Sequence, residues 1–360
     1  ESLWEHGAFE GFVDDEYVWG RGALDIKDML MGELEAVDYL LAHLGRPRRG
    51  IYLAFGEDEE VTSRGATRLA SEMRRRGIRL AWLLDEGTTT MFDGAAYGAP
   101  STTLSDICIS QKGYLNVILS AHGVGGHSSN PFGGTSLERL VCALADVARS
   151  KPAPQLTPIV RDTFRTLARY ITEEPFRSLV TDVDANANAI AEAASRVRGL
   201  YPFVCTTVAI DQLEGGSDAP NVMPGDVSAT INLRLLPGTS VEEALGFVRD
   251  AVRNPEVGVE LVHATPAGRV DTTSGAGYGE LQAAFERYYP DVVVVPSFVC
   301  GGTDALRYEP ICDSILRISP FRPQPEDEAT GVHGTNERIS RRTYAQGIRV
   351  LISLLESTVL

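Results

Sequence analysis

Ile51-Tyr52-Leu53-Ala54-Phe55-Gly56-Glu57-Asp58-Glu59-Glu60 is a short apolar run that stops at a glycine and continues as four acidic residues. The run predicts a buried strand, and the acidic residues then stand at its carboxyl end. Upstream, Leu30, Leu34, Val37, Leu41 and Leu44 recur at helical spacing, so residues 28–44 predict an amphipathic helix. Downstream, residues 63–76 predict a second helix closed by Gly77, and 80–84 a second buried strand. This β-α-β alternation points to an α/β fold, a largely parallel sheet with helices on both faces.

The pattern changes near Asp106. Residues 114–121, 203–213 and 227–235 alternate as half-buried strands do, while 135–149, 185–197 and 241–253 predict helices. Such a mixture suggests an α+β domain with an antiparallel sheet, with the Pro-rich stretch 151–158 as a connector. Buried strands return at 292–295 and 315–318. A last helix runs from about 340, with Tyr344, Ile348, Leu351, Ile352 and Leu355 on one face. The expected architecture is one α/β domain, residues 1–106 and 266–360, interrupted by an inserted α+β domain, residues 107–265.

Composition narrows the partners. The formal net charge is −16 over 360 residues. An acidic surface repels nucleic acid and anionic membrane, so neither is expected. No stretch approaches the ~20 apolar residues of a membrane span. Cys108, Cys142, Cys205, Cys300 and Cys312 form no C-x-x-C pair and are odd in number. Free thiols are expected, with a single disulfide left open, so the compartment stays open between cytoplasmic and secreted.

Three acidic sites end predicted strands or tight turns: Gly20-Arg21-Gly22-Ala23-Leu24-Asp25-Ile26-Lys27, Gly56–Glu60 and Leu83-Leu84-Asp85-Glu86-Gly87. Ligands of open α/β sheets bind beyond the carboxyl ends of the strands. Carboxylates gathered there repel one another unless a cation sits between them. Taken alone, an acidic run is more often a solvated loop; the repetition favours a metal. Adjacent Glu59 and Glu60 could divide the work, one binding metal and the other handling protons. Two loop histidines stand out: His333, in the polar turn Gly331-Val332-His333-Gly334-Thr335-Asn336-Glu337, and His127, in Gly123-Val124-Gly125-Gly126-His127-Ser128-Ser129. No G-x-S-x-G, phosphate-loop or H-E-x-x-H motif is present.

On these residues the chain resembles the di-zinc exopeptidases that include aminoacylase, carboxypeptidase S, carnosinase and succinyl-diaminopimelate desuccinylase. It is most similar to the carboxypeptidase S and N-fatty-acyl-amino-acid hydrolase branch. The likeness runs from Trp4 to the last helix, with the motifs in order. It implies a zinc-exopeptidase-type sheet with an inserted ferredoxin-like lid, and two zinc ions, with cobalt or manganese as possible substitutes. Asp25 would bridge the ions, Glu60 and His333 bind one, and Glu86 the other, with Asp85 a weaker candidate. Glu59 would be the general base and His127 the group that steadies the oxyanion. Asn221, in Asn221-Val222-Met223-Pro224, and Arg234 would hold the substrate, Arg234 by its carboxylate. Gly301-Gly302-Thr303-Asp304 would shape the pocket. The implied reaction is hydrolysis of an amide bond beside a free carboxylate, in a small peptide or an N-acyl amino acid. The state implied is a monomer or a homodimer through the lid.

Two departures qualify the resemblance. Asp28 stands where many relatives have glycine. The family's His-x-Asp motif lies upstream of the tryptophan matching Trp4, and this chain starts after it. The expectation is therefore one well-held metal, at Asp25, Glu60 and His333, and weak or absent activity. The rival reading is a catalytically silent binding protein that keeps the fold; intact Glu59, His127 and Arg234 weigh against it.

Overall fold

The computed structural model describes residues 3–87, 92–322 and 331–360. The chain opens with strand β1 (Tyr17–Trp19) and helix α1 (Lys27–Tyr39), whose end widens into a π-helical turn, Leu40–Leu44. Together they fill the helix expected at 28–44, but the leucine stripe is not its buried face. Met29, Gly32, Ala36 and Leu40 are buried, whereas Leu34 and Leu41 are exposed. Small residues decide the packing side. A Cβ on Gly32 would stand 2.9 Å from Cζ of Phe321 and 3.3 Å from Cδ1 of Leu351, so only glycine lets the helix approach that closely.

The strand expected at 51–55 does not form. These residues adopt no regular structure, and Tyr52, Leu53 and Phe55 are exposed. An apolar run becomes a buried strand only where a neighbour takes up its amides and carbonyls. Among the described residues no strand pairs with it. Helix α2 (Arg64–Arg75) follows as expected and is closed by Gly77 at φ +71°.

Strands β2 (Leu83–Asp85), β3 (Phe92–Asp93) and β4 (Thr103–Gln111) come next, then β5 (Gly113–His122) and β6 (Gly126–His127). Helix α3 (Ser136–Arg149) starts at a capping box of Thr135 and Glu138. Four helices follow: α4 (Pro158–Leu167), α5 (Phe176–Leu179), α6 (Ala187–Ala194) and α7 (Tyr201–Val204). Strands β7 (Thr207–Gly215), β8 (Val222–Met223) and β9 (Asp226–Leu235), helix α8 (Val241–Ala251) and strand β10 (Val257–Thr265) lead to helix α9 (Tyr278–Tyr288). Strands β11 (Val292–Val299), β12 (Ile315–Arg317) and β13 (Arg338–Ser340) precede the last helix, α10 (Arg341–Val359).

These strands build two main sheets. The first has the order β11-β4-β12-β2, with β3 also on β4. It is mixed: β11/β4 and β12/β2 are parallel, β12/β4 and β3/β4 antiparallel. Strand β4 is buried almost throughout because helices cover the sheet. The second sheet, β10-β5-β9-β7, is antiparallel throughout. With α3 and α8 it follows a β-α-β-β-α-β path, the ferredoxin-like arrangement. Strands β5 and β9 alternate buried and half-buried residues, as their sequences predict. The chain passes between the sheets at Lys112. A Cβ on Gly113 would meet the Ala267 amide at 2.6 Å, so glycine is needed where the outgoing and returning segments cross.

Two cores follow. Leu115, Leu119, Leu140, Ile231 and Val248 fill the ferredoxin-like unit. Leu104, Ile107, Phe285, Phe298 and Leu354 fill the first sheet's core, and Phe164 and Ile190 of α4 and α6 join them there. Thr163 on α4 donates to the Pro296 carbonyl at 2.7 Å. The segment expected as one inserted domain is thus shared between both cores.

Candidate metal centre

Asp25 and His333 are far apart in sequence and meet because β1 pairs antiparallel with β13, Trp19 opposite Arg338. Glu337 fastens the join. It is fully buried and accepts from the amides of Gly22 (2.9 Å), Leu24 (2.8 Å) and Asp25 (3.3 Å) and from Arg21 Nη1 (2.7 Å). Gly22 takes φ +78°, and Arg21 Nη2 reaches the Gly334 carbonyl at 2.8 Å. One carboxylate therefore shapes the Gly-Arg-Gly turn that presents Asp25 and ties it to the His333 turn. Three of the four donors to Glu337 are backbone amides, which leave no signature in the side-chain pattern.

Glu59 and Glu60 sit on a tight turn held by their neighbour. Asp58 accepts from the Thr62 hydroxyl, the Arg64 amide (3.0 Å) and the Gly65 amide (2.8 Å) at the start of α2. These donors hold its carboxyl well below its ordinary range. The acidic run thus divides: Asp58 serves the helix and leaves Glu59 and Glu60 to project elsewhere.

His333 Nε2 lies 2.8 Å from Glu60 Oε1 and 3.0 Å from Asp25 Oδ2. The ligand atoms of the three residues all fall within 4.8 Å of one another, the one such group among the described residues. Glu60 and then Asp25 push the imidazole above its ordinary value. Two carboxylates and an imidazole are the donor chemistry of zinc. Tetrahedral ligands about 2.0–2.2 Å from an ion stand roughly 3.3–3.6 Å apart, so a shift of about half an ångström would open these contacts into a coordination shell. The residues fit the ion.

A second acidic group flanks the first. Glu59 is half-buried and pushed up to about 7, by burial first and then by Asp304, Glu60, Asp85 and Asp25. Glu86 is pushed up to about 9, by burial first and then by Asp85, Glu59, Asp25 and Asp304. Asp85 is raised by burial, and its Oδ2 accepts the Ala305 amide at 2.7 Å. Asp304 is raised by burial too, and among the described residues its Oδ1 has no hydrogen-bond partner. Glu86 feels Asp25 and Glu59 but stands outside the Asp25–Glu60–His333 group. Asp28 is buried at the start of α1 and accepts the Met29 amide at 2.7 Å.

The remaining candidates lie elsewhere. His127 on β6 pairs with Val222 on β8, and the Ser128 amide donates to the Asn221 carbonyl at 2.9 Å, so His127 and Asn221 share one small ribbon. His127 Nδ1 accepts the Ser129 amide at 3.1 Å, which leaves Nε2 as the protonated, donating nitrogen. Arg234 on β9 lies over the Tyr114 ring, 4.6 Å from its centroid, and its Nε donates to Asn232 Oδ1 at 3.2 Å. Among the described residues no hydrogen bond or ion pair joins His127 or Arg234 to the carboxylates. Gly301 and Gly302 lead from β11 to buried Thr303, whose hydroxyl donates to Gln111 Oε1 at 3.1 Å.

Residues 1–357 match Peptidase family M20/M25/M40. The chain belongs to this family. A probable carboxypeptidase S-like protein of Dictyostelium discoideum is 30% identical over 361 residues, 99% of this chain and 68% of that protein. The Homo sapiens N-fatty-acyl-amino acid synthase/hydrolase PM20D1 is 30% identical over 365 residues, 99% of this chain and 71% of its own. The structure of human carnosine dipeptidase 1 overlays with a TM-score of 0.63 at 16% identity, covering 98% of this chain and 75% of that one. An M20 metallo-carboxypeptidase from Sulfolobus solfataricus gives 0.61 at 15% identity, covering 99% and 80%. At that identity the overlays speak for the fold alone. The M20 chain is a metallo-hydrolase of the peptidase and amidohydrolase kind, and zinc is the metal typical of the family. No helix among the described residues is long and apolar enough to cross a membrane.

Proposed function

We propose that this M20 chain hydrolyses an amide bond adjacent to a free carboxylate, in a small peptide or an N-acyl amino acid. The observation that carries the reading is the convergence of Asp25, Glu60 and His333 beside a half-buried Glu59. A zinc ion bound there would polarise the scissile carbonyl and make water a better nucleophile. Glu59, pushed up to about 7, is poised to take a proton near neutral pH and return it to the leaving amine. His127 directs its Nε2–H at the oxyanion as the lid, chiefly 113–151 and 206–265 within the wider 107–265 insertion, closes on the substrate. Arg234 grips the substrate carboxylate through its planar fork, with Asn221 beside it, and Gly301–Thr303 border the pocket. Asp25 and Glu86 would be the carboxylates offered to a second ion.

The test is Glu59→Gln in zinc-loaded protein, assayed on dipeptides and N-acyl amino acids. A loss of at least about a hundredfold in kcat with zinc still bound is expected, the scale of a general base. Unchanged turnover would reject the mechanism. A parent protein that binds zinc but never turns over would favour the reading of a silent binding protein.

A further inference from the structure

Arg317 is 1% exposed, and its Nη1 and Nη2 have no hydrogen-bond partner among the described residues. Burying an unpaired guanidinium is costly, and an apolar side chain of similar volume fills such a space at less cost. What the guanidinium touches leads to the site. Its Nε donates to the Thr303 hydroxyl at 3.1 Å, and that hydroxyl donates onward to Gln111. On the parallel ladder Arg317 is registered with Asp85, whose carboxylate holds the Ala305 amide. A Cβ on Gly87 would lie 2.5 Å from the Arg317 carbonyl carbon, so the turn after Glu86 rests directly on this strand end.

We propose that Arg317 is a positioning residue: through Thr303 and Asp85 it clamps the 301–305 loop against the strand end that carries Glu86. The inference rests on the proposed function for the role of that loop as the pocket wall. The contact is made by Nε, an N–H fixed in the guanidinium plane short of the side chain's end, a position the terminal ammonium of lysine does not occupy.

Arg317→Met, Arg317→Lys and Thr303→Val separate the possibilities. Hydrogen exchange resolved by segment, on zinc-loaded protein, should show exchange rising about tenfold or more at 301–305 in Arg317→Met and Thr303→Val, with strands β5 and β9 unchanged. With an N-acyl amino acid substrate, KM should rise about tenfold while kcat stays within about threefold. Arg317→Lys should not restore either. Unchanged exchange at 301–305, an unchanged KM, or full restoration by lysine would overturn the proposal. Should Arg317→Met fail to fold, Thr303→Val decides alone. Should the parent lack turnover, the functional reading falls by itself and the exchange result still decides this one.

Discussion

Replacing Glu337 with alanine is the sharpest test of how the site is held. The substitution removes the acceptor of three backbone amides and of Arg21, all within 2.7–3.3 Å of one buried carboxylate. Removing one member of a buried ion pair costs about 3–5 kcal/mol. Arg21 keeps 34% of its side chain in solvent, so water recovers part of its loss, and about 2–4 kcal/mol is expected. The Gly22–Asp25 turn should also loosen and carry Asp25 away from His333. Zinc affinity should fall about tenfold to a hundredfold, the range for partners that orient a ligand without touching the ion. Urea unfolding of the metal-free protein reads the first quantity and zinc calorimetry the second. Glu337→Gln, which keeps an acceptor but loses the charge, should fall between. A stability change below about 0.5 kcal/mol with unaltered zinc affinity would refute the argument, because that is the scale of an ordinary surface substitution.

Two further expectations concern charge. Glu59 is pushed up to about 7 and Glu86 to about 9, so the folded metal-free protein holds protons that the unfolded chain sheds above about 4.5. The sign follows: the metal-free protein should lose stability as pH rises from about 4.5, through about 7 for Glu59 and about 9 for Glu86. Melting in chelator from pH 5 to 8 checks this, and a Tm that climbs with pH would contradict it. Zinc should expel these protons, about one per ion at pH 7, seen as a dependence of binding heat on the buffer's ionisation enthalpy; heats independent of buffer would count against it. Arg234→Lys should raise KM for N-acyl amino acids about tenfold with kcat little altered, and should leave the corresponding amides unaffected. Equal losses on both substrate types would remove Arg234 from carboxylate recognition.

Local pattern reported faithfully where a strand has its sheet neighbours in place on both sides. The alternation at 114–121 and 227–235 became β5 and β9, and the helix expected at 135–149 became α3. It failed where the outcome depends on what lies alongside. Residues 51–55 have strand composition but no strand partner among the described residues. The leucine stripe of α1 lost to Gly32 and Ala36, because close helix contact rewards small residues over an even apolar stripe. Nor does periodicity say which of two cores a helix joins, so α4 and α6 packed on the first sheet from inside a segment assigned to the second. In the site, strand-end acids pointed to a metal, while the pairing of Asp25 with Glu60 and His333 rested on the resemblance to M20 enzymes. Glu337 and Arg317 were silent because their partners are backbone amides, an arginine and a loop threonine distant in sequence or without a motif.

The acids in and beside the site fall into two classes, and the difference argues for the cation. Glu337 and Asp58 are surrounded by donors: amides, a hydroxyl and arginines. Glu59, Asp85, Glu86 and Asp304 are raised instead, each by burial first; all but Asp304 are met next by other carboxylates or a few amides. Glu33 on α1 is likewise pushed up to about 8, by burial and then by Asp85. Nearby, the positive charge of Arg317 acts on Asp85, and His333 faces Asp25 and Glu60. Two unit charges 4 Å apart interact by about 4 kcal/mol at an effective dielectric of 20, and a divalent ion doubles that for every carboxylate it meets. Amides in place of these acids would relieve the repulsion without any metal. Beside the Asp25–Glu60–His333 group, these acids repel one another when ionised without a cation and would attract one that bound there.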